Sequence, residues 1–286
     1  MPPPFEPAVD SPRQLSEAYR LLTDAAPRPI AGGTDLMVQI TGELGEPPER
    51  VLDIWHLDEL RGIRVDGDAL VLGALTTYTE IRRSPLVAEF LPALAEAAAT
   101  IGAAQIQNRG TLGGNVVNAS PAGDTLPILL ASDAGIELGS ARGERSVAAG
   151  EFWTAYRETA RADDELVLRI RIPLAPNREM RFRKIGTRRA QAISKVVMAL
   201  AWRAEAGQPW TNVRLALGSI AATPVRVPGT EAVIQGASPD RETADRAAEA
   251  LAAEIHPIDD VRSTADYRRT VASRVLHRLI RDEGGW

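Results

Sequence analysis

The chain has no cysteine in its 286 residues. That excludes disulfides, thiolate zinc sites, cysteine nucleophiles and iron–sulfur ligation by its own side chains. Histidine is scarce as well. His56, His256 and His277 lie far apart and share no zinc-type spacing, so no metal site is expected. There is no G-x-S-x-G elbow, no Walker loop and no G-x-G-x-x-G, so hydrolase, NTPase and Rossmann readings lack their marks. No apolar run is long enough to span a bilayer; the nearest, Leu91 to Ala104, is short and carries Glu96. Met1-Pro2-Pro3-Pro4-Phe5-Glu6 has neither a basic n-region nor an apolar core, so no signal peptide is expected. Positive charge is not in excess: 33 Lys and Arg stand against 38 Asp and Glu, which argues against a general nucleic-acid binder. A cysteine-free chain fits a reducing compartment, and the cytoplasm is the expected location.

Two glycine pairs stand out in what is present. One is Ala31-Gly32-Gly33-Thr34-Asp35-Leu36 and the other Arg109-Gly110-Thr111-Leu112-Gly113-Gly114-Asn115, which runs on to Ser120-Pro121-Ala122-Gly123-Asp124. Glycine lets a backbone approach a ligand closely and adopt φ > 0. Consecutive N–H groups in such a turn form a concave, positive nest for phosphate oxygens, and Thr34, Thr111, Asn115 and Ser120 add side-chain donors. A single Gly-Gly is more often a tight turn or a strand bulge. Two with similar neighbours suit the pyrophosphate of a dinucleotide.

Along the chain, Pro2 to Pro12 reads as extended, and Ser11-Pro12 as a helix start with Ser11 as N-cap. Arg28 to Ala31 reads as a strand entering the first glycine loop, followed by a short helix capped by Thr34 or Asp35. Arg50 to Ile54 is a second strand, giving a small parallel α/β unit. Leu60–Ile63 and Ala69–Gly73 read as strands about a turn at Asp66-Gly67-Asp68. Helices are expected after Thr76-Thr77, after Ser84-Pro85, as one buried Ala-rich segment from Leu91 to Gln105, and from Thr125 to Leu130. Leu166 to Pro173 alternates from Leu168 onward and is the strongest strand pattern. Met180–Ile185, Val196–Arg203 and Val213–Ile220 read as an antiparallel sheet. Arg241–Ile255 and a helix capped by Ser263 or Thr264 close the chain, the latter with Tyr267, Val271, Val275 and Leu279 as its apolar face.

The long second motif, together with Ala31 to Leu36, closely resembles the FAD-binding medium subunit of molybdenum hydroxylases, the xanthine dehydrogenase and carbon monoxide dehydrogenase family. The resemblance continues through Phe182-Arg-Lys-Ile-Gly-Thr-Arg-Arg-Ala-Gln-Ala-Ile-Ser194 and Ser263-Thr264-Ala-Asp-Tyr267-Arg268. It implies an α+β fold: a two-lobed FAD-binding domain of the vanillyl-alcohol-oxidase-like type at 1–175, with lobes of about 1–55 and 56–175, and a C-terminal domain at 176–286. It implies FAD contacts at Ala31, Gly32, Gly33, Thr34, Asp35 and Leu36, then at Thr111, Gly113, Gly114 and Asn115, with polar contacts at Ser120 and Asp124. Ile101 and Gly102 match a position near the adenine or flavin, Leu168 an apolar contact of the isoalloxazine edge, and Lys184 a polar contact at its rim.

Function follows from the same resemblance. It implies an oxidoreductase subunit that takes electrons from [2Fe–2S] clusters on a small partner and passes them to an external acceptor. A large molybdopterin subunit completes a heterotrimer that can itself dimerise. No catalytic acid or base is required, because the cofactor carries the redox chemistry. Several readings stay open from the residues alone. Asp124 accepts a hydrogen bond from the cofactor or caps the helix beginning near Thr125. Arg109 adds charge to the site or lies on the surface. Lys184 belongs to a basic run, Arg181 to Arg189, whose default is a solvated face, and Arg188 and Arg189 are candidates to face a partner. A stand-alone flavin oxidase or dehydrogenase, a flavin-free scaffold and a nicotinamide-binding domain are the alternatives to the subunit reading.

Overall fold

A computed structural model describes residues 6–42, 46–188, 191–205 and 208–286. The chain opens with β1 (Ala8–Asp10), β2 (Arg28–Ile30) and β3 (Arg50–Asp53), a parallel sheet in the order β1-β3-β2. The parallel α/β expectation holds here. The helix between β1 and β2 spans Leu15–Ala25 and not the Ser11-Pro12 start read from sequence. Its first N–H is met by a carboxylate instead of a Ser cap: Glu59 accepts from Leu15 N (3.1 Å), a substitute for end-capping, and Glu17 accepts from Arg13 N (3.3 Å) just before the cap.

The second sheet is antiparallel. It is built from β4 (Ile63–Asp66), β5 (Ala69–Gly73), β6 (Gly135–Ser140), β7 (Gly143–Ala148) and, after a small hairpin of β8 (Trp153–Ala155) and β9 (Glu158–Thr159), β10 (Leu166–Pro173). Its order is β4-β5-β10-β6-β7. The β4–β5 turn falls at Asp66 to Asp68 as read, but Leu60 ends a 3-10 turn and is not in the strand. Between β5 and β6 lies a helical stretch. Thr77 caps the helix Tyr78–Arg83 in a full capping box with Glu80, and Ser84 caps Pro85–Phe90, both as the Thr and Ser-Pro signals require. The Ala-rich segment is not one helix. Pro92–Thr100 stops at Gly102, whose φ of +55° reverses the chain, and Ala104–Arg109 forms a separate turn.

The third sheet comprises β11 (Arg178–Ile185), β12 (Val196–Arg203), β13 (Thr211–Gly218) and β14 (Val225–Arg226), antiparallel in that order. The first seven residues of β12 are buried, and side chains alternate between the faces of a strand. Val197, Ala199 and Ala201 join the core that contains Leu70, Leu94, Ile128 and Ile136, while Val196, Met198, Leu200 and Trp202 face the closing helices Arg241–Glu254 and Ala265–Gly284. A strand covered on both faces reads as a continuous apolar run. The last helix has Thr264 as its cap, as expected, but its buried face is Arg268, Ala272, Leu276, Leu279 and Ile280, and Tyr267 is exposed. Of the expected face, Leu279 is buried and Val271 and Val275 pack against the same core, while the apolar pattern left out Arg268, because it leaves arginine outside a core. Arg268 is buried because Asp260 Oδ1 (2.6 Å) and the Ile258 carbonyl (3.1 Å) accept its N–H groups. Among the described residues no helix is long and apolar enough to cross a membrane.

Candidate functional site: a trough between two glycine loops

β2 delivers the chain to the first glycine loop at the edge of the parallel sheet. Gly33 has φ +75°, a conformation that side chains with a Cβ rarely adopt. The backbone N–H groups of Gly32, Gly33, Thr34 and Asp35 have no hydrogen-bond acceptor among the described residues. Asp35 precedes the helix Leu36–Thr41 without capping it; its Oδ1 accepts from Asn118 Nδ2 at 2.9 Å. Four successive unsatisfied donors on a cavity wall are a feature that calls for an anionic or strongly accepting ligand.

The second loop behaves differently. Thr111 caps the helix Leu112–Asn118, and its N–H donors are spent inside the chain. Leu112 N donates to Thr76 O (2.9 Å), Gly113 N to Ala74 O (2.9 Å), Gly114 N to Thr111 Oγ1 (3.1 Å) and Asn115 N to Thr111 O (3.1 Å). Of the two loops, only the first presents a run of unpaired backbone N–H groups among the described residues. Gly113 is required by packing, because a Cβ there would lie 2.7 Å from Ala74 O. The two loops also touch: a Cβ on Gly32 would stand 1.7 Å from the Arg109 carbonyl oxygen. What the second loop presents is side chain. Asn115 Oδ1 accepts from Thr125 Oγ1 at 2.6 Å, which leaves its Nδ2 as the available donor.

Two cavities run along these loops. The first, about 970 Å³ counting space open to solvent, is lined by Ala31 to Leu36, Thr111, Gly113, Gly114 and Asn115 over an apolar floor that includes Leu75 and Val167. The second, about 1110 Å³ on the same basis, is lined by Ile101, Gly102, Ser120, Asp124 and Lys184. Thr34, Asp35, Tyr78, Asn115 and Asn118 line both, so the two form one trough. Fifteen of the sixteen candidate residues border it. Leu168 does not. The β10–β6 register shifts between Val167 and Arg169, and this bulge takes Leu168 out of the strand's alternation. Its side chain belongs to the buried cluster that also contains Leu22, Leu52 and Leu75.

Lys184 is not on a solvated face. Met180 and Phe182 are buried on β11, and Lys184, two residues on, continues that face. Its Nζ lies 2.5 Å from Asp124 Oδ2 and 3.4 Å from Thr100 O, with both side chains less than a tenth exposed. Burial pushes the Asp124 carboxyl above its ordinary value, and the Lys184 ammonium is the chief opposing influence. Asp124 Oδ1 is buried and has no partner at hydrogen-bonding geometry among the described residues. Thr125, not Asp124, occupies the N-cap position of the helix Leu126–Ala131, which removes the capping reading of Asp124. Arg109 is exposed and stacks on Trp55 at 3.8 Å, so its surface reading holds. Arg188 borders the second cavity; Arg189 lies outside the described residues.

The pattern did not single out several wall residues. Tyr78 is 4% exposed and belongs to both cavities; burial raises its phenol well above the ordinary value. Its signal was its place directly after the Thr77 cap, where the helix is anchored to the second loop. Arg28, Arg161, Glu165 and Arg157 also line the trough, and nothing in their local pattern marked them.

The residues present fit an extended flavin dinucleotide. The long trough has donors without acceptors at its middle, and at one end an unsatisfied carboxylate oxygen beside a lysine. Comparison with known proteins agrees. Residues 5–175 match the family model described as the FAD binding domain in molybdopterin dehydrogenase, and residues 181–282 match the CO dehydrogenase flavoprotein C-terminal domain. The carbon monoxide dehydrogenase medium chain of Hydrogenophaga pseudoflava is 32% identical over 98% of this chain and 97% of its own. The xanthine dehydrogenase FAD-binding subunit of Escherichia coli O157:H7 is 30% identical over 95% of each. The solved carbon monoxide dehydrogenase of Hydrogenophaga pseudoflava superposes with a TM-score of 0.91 at 30% identity over 96% of both chains. Quinoline 2-oxidoreductase from Pseudomonas putida 86 gives 0.92 at 25% identity over 98% of both. The fold is accordingly the α+β FAD-binding domain with its C-terminal companion, FAD is the cofactor, and the chain belongs to the FAD-binding medium subunits of the molybdenum hydroxylase family of oxidoreductases.

Proposed function

We propose that this subunit carries electrons from [2Fe–2S] clusters on a small partner to an external acceptor, within a cytoplasmic assembly completed by a large molybdopterin subunit. The absence of cysteine from its own sequence supports this division of labour, because the clusters need thiolate ligands from elsewhere. Bound FAD supplies the redox chemistry. This chain's residues bind, orient and shield it. The N–H groups of Gly32 to Asp35, with Thr34 and Asn115 side chains, hold the pyrophosphate, while Ala31, Leu36, Thr111, Gly113 and Gly114 shape the wall beside it. Ile101, Gly102, Ser120, Asp124 and Lys184 receive the flavin half in the second cavity. The Asp124–Lys184 pair fixes one polar edge there, with Asp124 Oδ1 free to accept a flavin N–H. Residues 1–175 serve as the FAD-binding domain, with lobes of about 1–55 and 56–175, and 176–286 as the companion domain. The extents of the two family matches support that boundary.

The observation that carries the site assignment is the run of four unpaired backbone donors at the midpoint of a continuous trough. The test is the visible spectrum of the purified chain before and after adding FAD and desalting, alongside co-purification from its source cells. Flavin bands released as FAD on denaturation, and recovery with a cysteine-rich iron–sulfur protein and a molybdenum protein, are expected. A chain that retains no flavin and copurifies with neither refutes the reading.

A further inference from the structure

The first cavity is lined by two guanidinium groups that have no ion-pair partner among the described residues. Arg28 opens β2, and Arg161 follows the β8–β9 hairpin. Both line the first cavity, and neither borders the second, where Lys184 and Asp124 lie. Among the described residues, no carboxylate lies within 4 Å of either guanidinium. The acids nearest Arg161 in sequence are largely engaged elsewhere. Glu165 Oε1 is 2.6 Å from Arg145 Nε, and Asp164 pairs with Arg142. Arg161 is half-buried, and its Nη1 donates to the carbonyls of Ala162 (2.7 Å), Asp163 (3.3 Å) and Glu165 (2.8 Å). Its Nε and Nη2 have no acceptor among the described residues. Arg28 is exposed and makes no hydrogen bond through its side chain among the described residues. Burial pulls the Arg161 guanidinium below its ordinary value; Asp163, Glu165 and Asp164 oppose this, and the Arg28 charge adds to it.

Two guanidinium groups lining one cavity, one of them half-buried, while the Glu165 carboxylate of the same lining is paired with Arg145, favour an anionic ligand there. A pyrophosphate brings two negative charges into a protein of net charge −5, and the first glycine loop offers only neutral N–H groups. Guanidinium is the group suited to phosphate, with paired donors in one plane. We propose that Arg28 and Arg161 form a cation pair that binds the adenylate phosphate of FAD and thereby sets the preference of this trough for the dinucleotide over FMN. The proposal rests on the flavin half lying in the second cavity. FMN placed that way brings its single phosphate to the glycine loop and leaves the arginine pair unused.

The test is titration of the flavin-free full chain with FAD and, separately, with FMN, followed by flavin fluorescence, for the wild type, Arg161→Met and Arg28→Met. Each substitution is expected to weaken FAD binding at least tenfold and to leave FMN binding within twofold. The salt dependence of FAD affinity flattens in both variants, because a screened charge interaction has been removed. Arg161 also ties down three carbonyls, so its loss can perturb the loop; Arg28, with no such bonds, keeps the test open if Arg161→Met misfolds. FAD affinity unchanged in Arg28→Met, or FAD and FMN affinities falling together in a folded variant, overturns the proposal. A wild type that binds FMN as tightly as FAD also overturns it. A wild type that binds neither flavin overturns the cofactor placement beneath it.

Discussion

Gly114 separates the needs of the fold from the needs of the cofactor. An added Cβ there meets one atom within 4 Å, the Thr111 hydroxyl oxygen at 2.9 Å. That hydroxyl caps the helix through Gly114 N. Turning it aside costs about 1 kcal/mol, while replacing glycine by alanine within a helix returns about 1 kcal/mol. Gly114→Ala should therefore leave the stability of the flavin-free chain within about 1 kcal/mol of wild type. The methyl group then stands in the trough, on the wall proposed to face the pyrophosphate. Displacing one charge-assisted hydrogen bond costs about 1.5–3 kcal/mol, a ten- to hundredfold loss of FAD affinity. Gly114→Val, bulkier still, should lose flavin altogether on desalting. Gly32→Ala is the contrast. Its Cβ would lie 1.7 Å from the Arg109 carbonyl, backbone against backbone, so the loops must part, at about 3 kcal/mol or more. Urea denaturation without flavin and a fluorescence titration with it read the two quantities separately. A Gly114→Ala protein that unfolds as readily as Gly32→Ala, or that holds FAD as tightly as wild type, refutes the assignment.

Three further outcomes follow from the same geometry. Thr77→Ala removes one half of a capping box in which Glu80 N donates to Thr77 Oγ1 at 3.2 Å and Thr77 N to Glu80 at 2.7 Å; urea denaturation should show a loss of about 1 kcal/mol. Lys184→Met leaves Asp124 buried without its cation, which should cost on the order of 3 kcal/mol at pH 7. Because burial raises the folded Asp124 value, its favourable contribution is fully present below the unfolded value and is lost as pH rises through the folded one, so the deficit of this variant should shrink towards pH 4; a deficit independent of pH refutes this. Asp260→Asn leaves the buried Arg268 unpaired and, since Asp260 is itself 23% exposed, should cost about 2 kcal/mol at pH 7. The Arg268 hydrogen bond, then Arg262, holds the Asp260 carboxyl below the ordinary range. Its stabilisation is present above the unfolded value of about 4 and is lost as pH falls through the folded value. The gap between wild type and variant should therefore narrow in acid, as denaturation at pH 7 and pH 3 would reveal.

Local patterns carried much of the architecture. Leu166 to Pro173 is a strand over the residues its composition marks, and the Thr77, Ser84 and Thr264 caps lie where hydroxyl residues precede apolar runs. The failures share a cause: each depended on a partner outside the residue's own helix or strand pattern. The composition around Lys184, beside four arginines, read by default as a solvated face, and only the resemblance pointed inward; the side chain faces Asp124, sixty residues away. Arg268 looked too polar for a core until Asp260 and the Ile258 carbonyl met its charge. Leu168 looked like a member of an alternating strand, and a bulge that only pairing with β6 reveals sends it elsewhere. Arg161 had no local signature, because what distinguishes it is the missing carboxylate.

The glycine pairs show most clearly what a motif leaves unsaid. Both are Gly-Gly with a hydroxyl neighbour, and from sequence both offer the same donors. In the fold, Ala74 and Thr76 occupy the amides of Gly113 and Leu112, which fixes the second loop as a rigid wall, while the amides of Gly32 to Asp35 have no partner among the described residues. The contact of Gly32 with the Arg109 carbonyl then holds the free donors at a set distance from Asn115, whose amide is oriented by Thr125. The first loop offers backbone donors, and the second positions that loop and offers the Asn115 side chain. A site preorganised in this way does not lose hydrogen bonds of its own when an anion arrives, so its binding energy is not spent on rearranging the wall. For the same reason, substitutions that disturb the Gly32–Arg109 contact should act on flavin affinity through the placement of the first loop, and those at Gly33, Thr34, Gly114 or Asn115 directly.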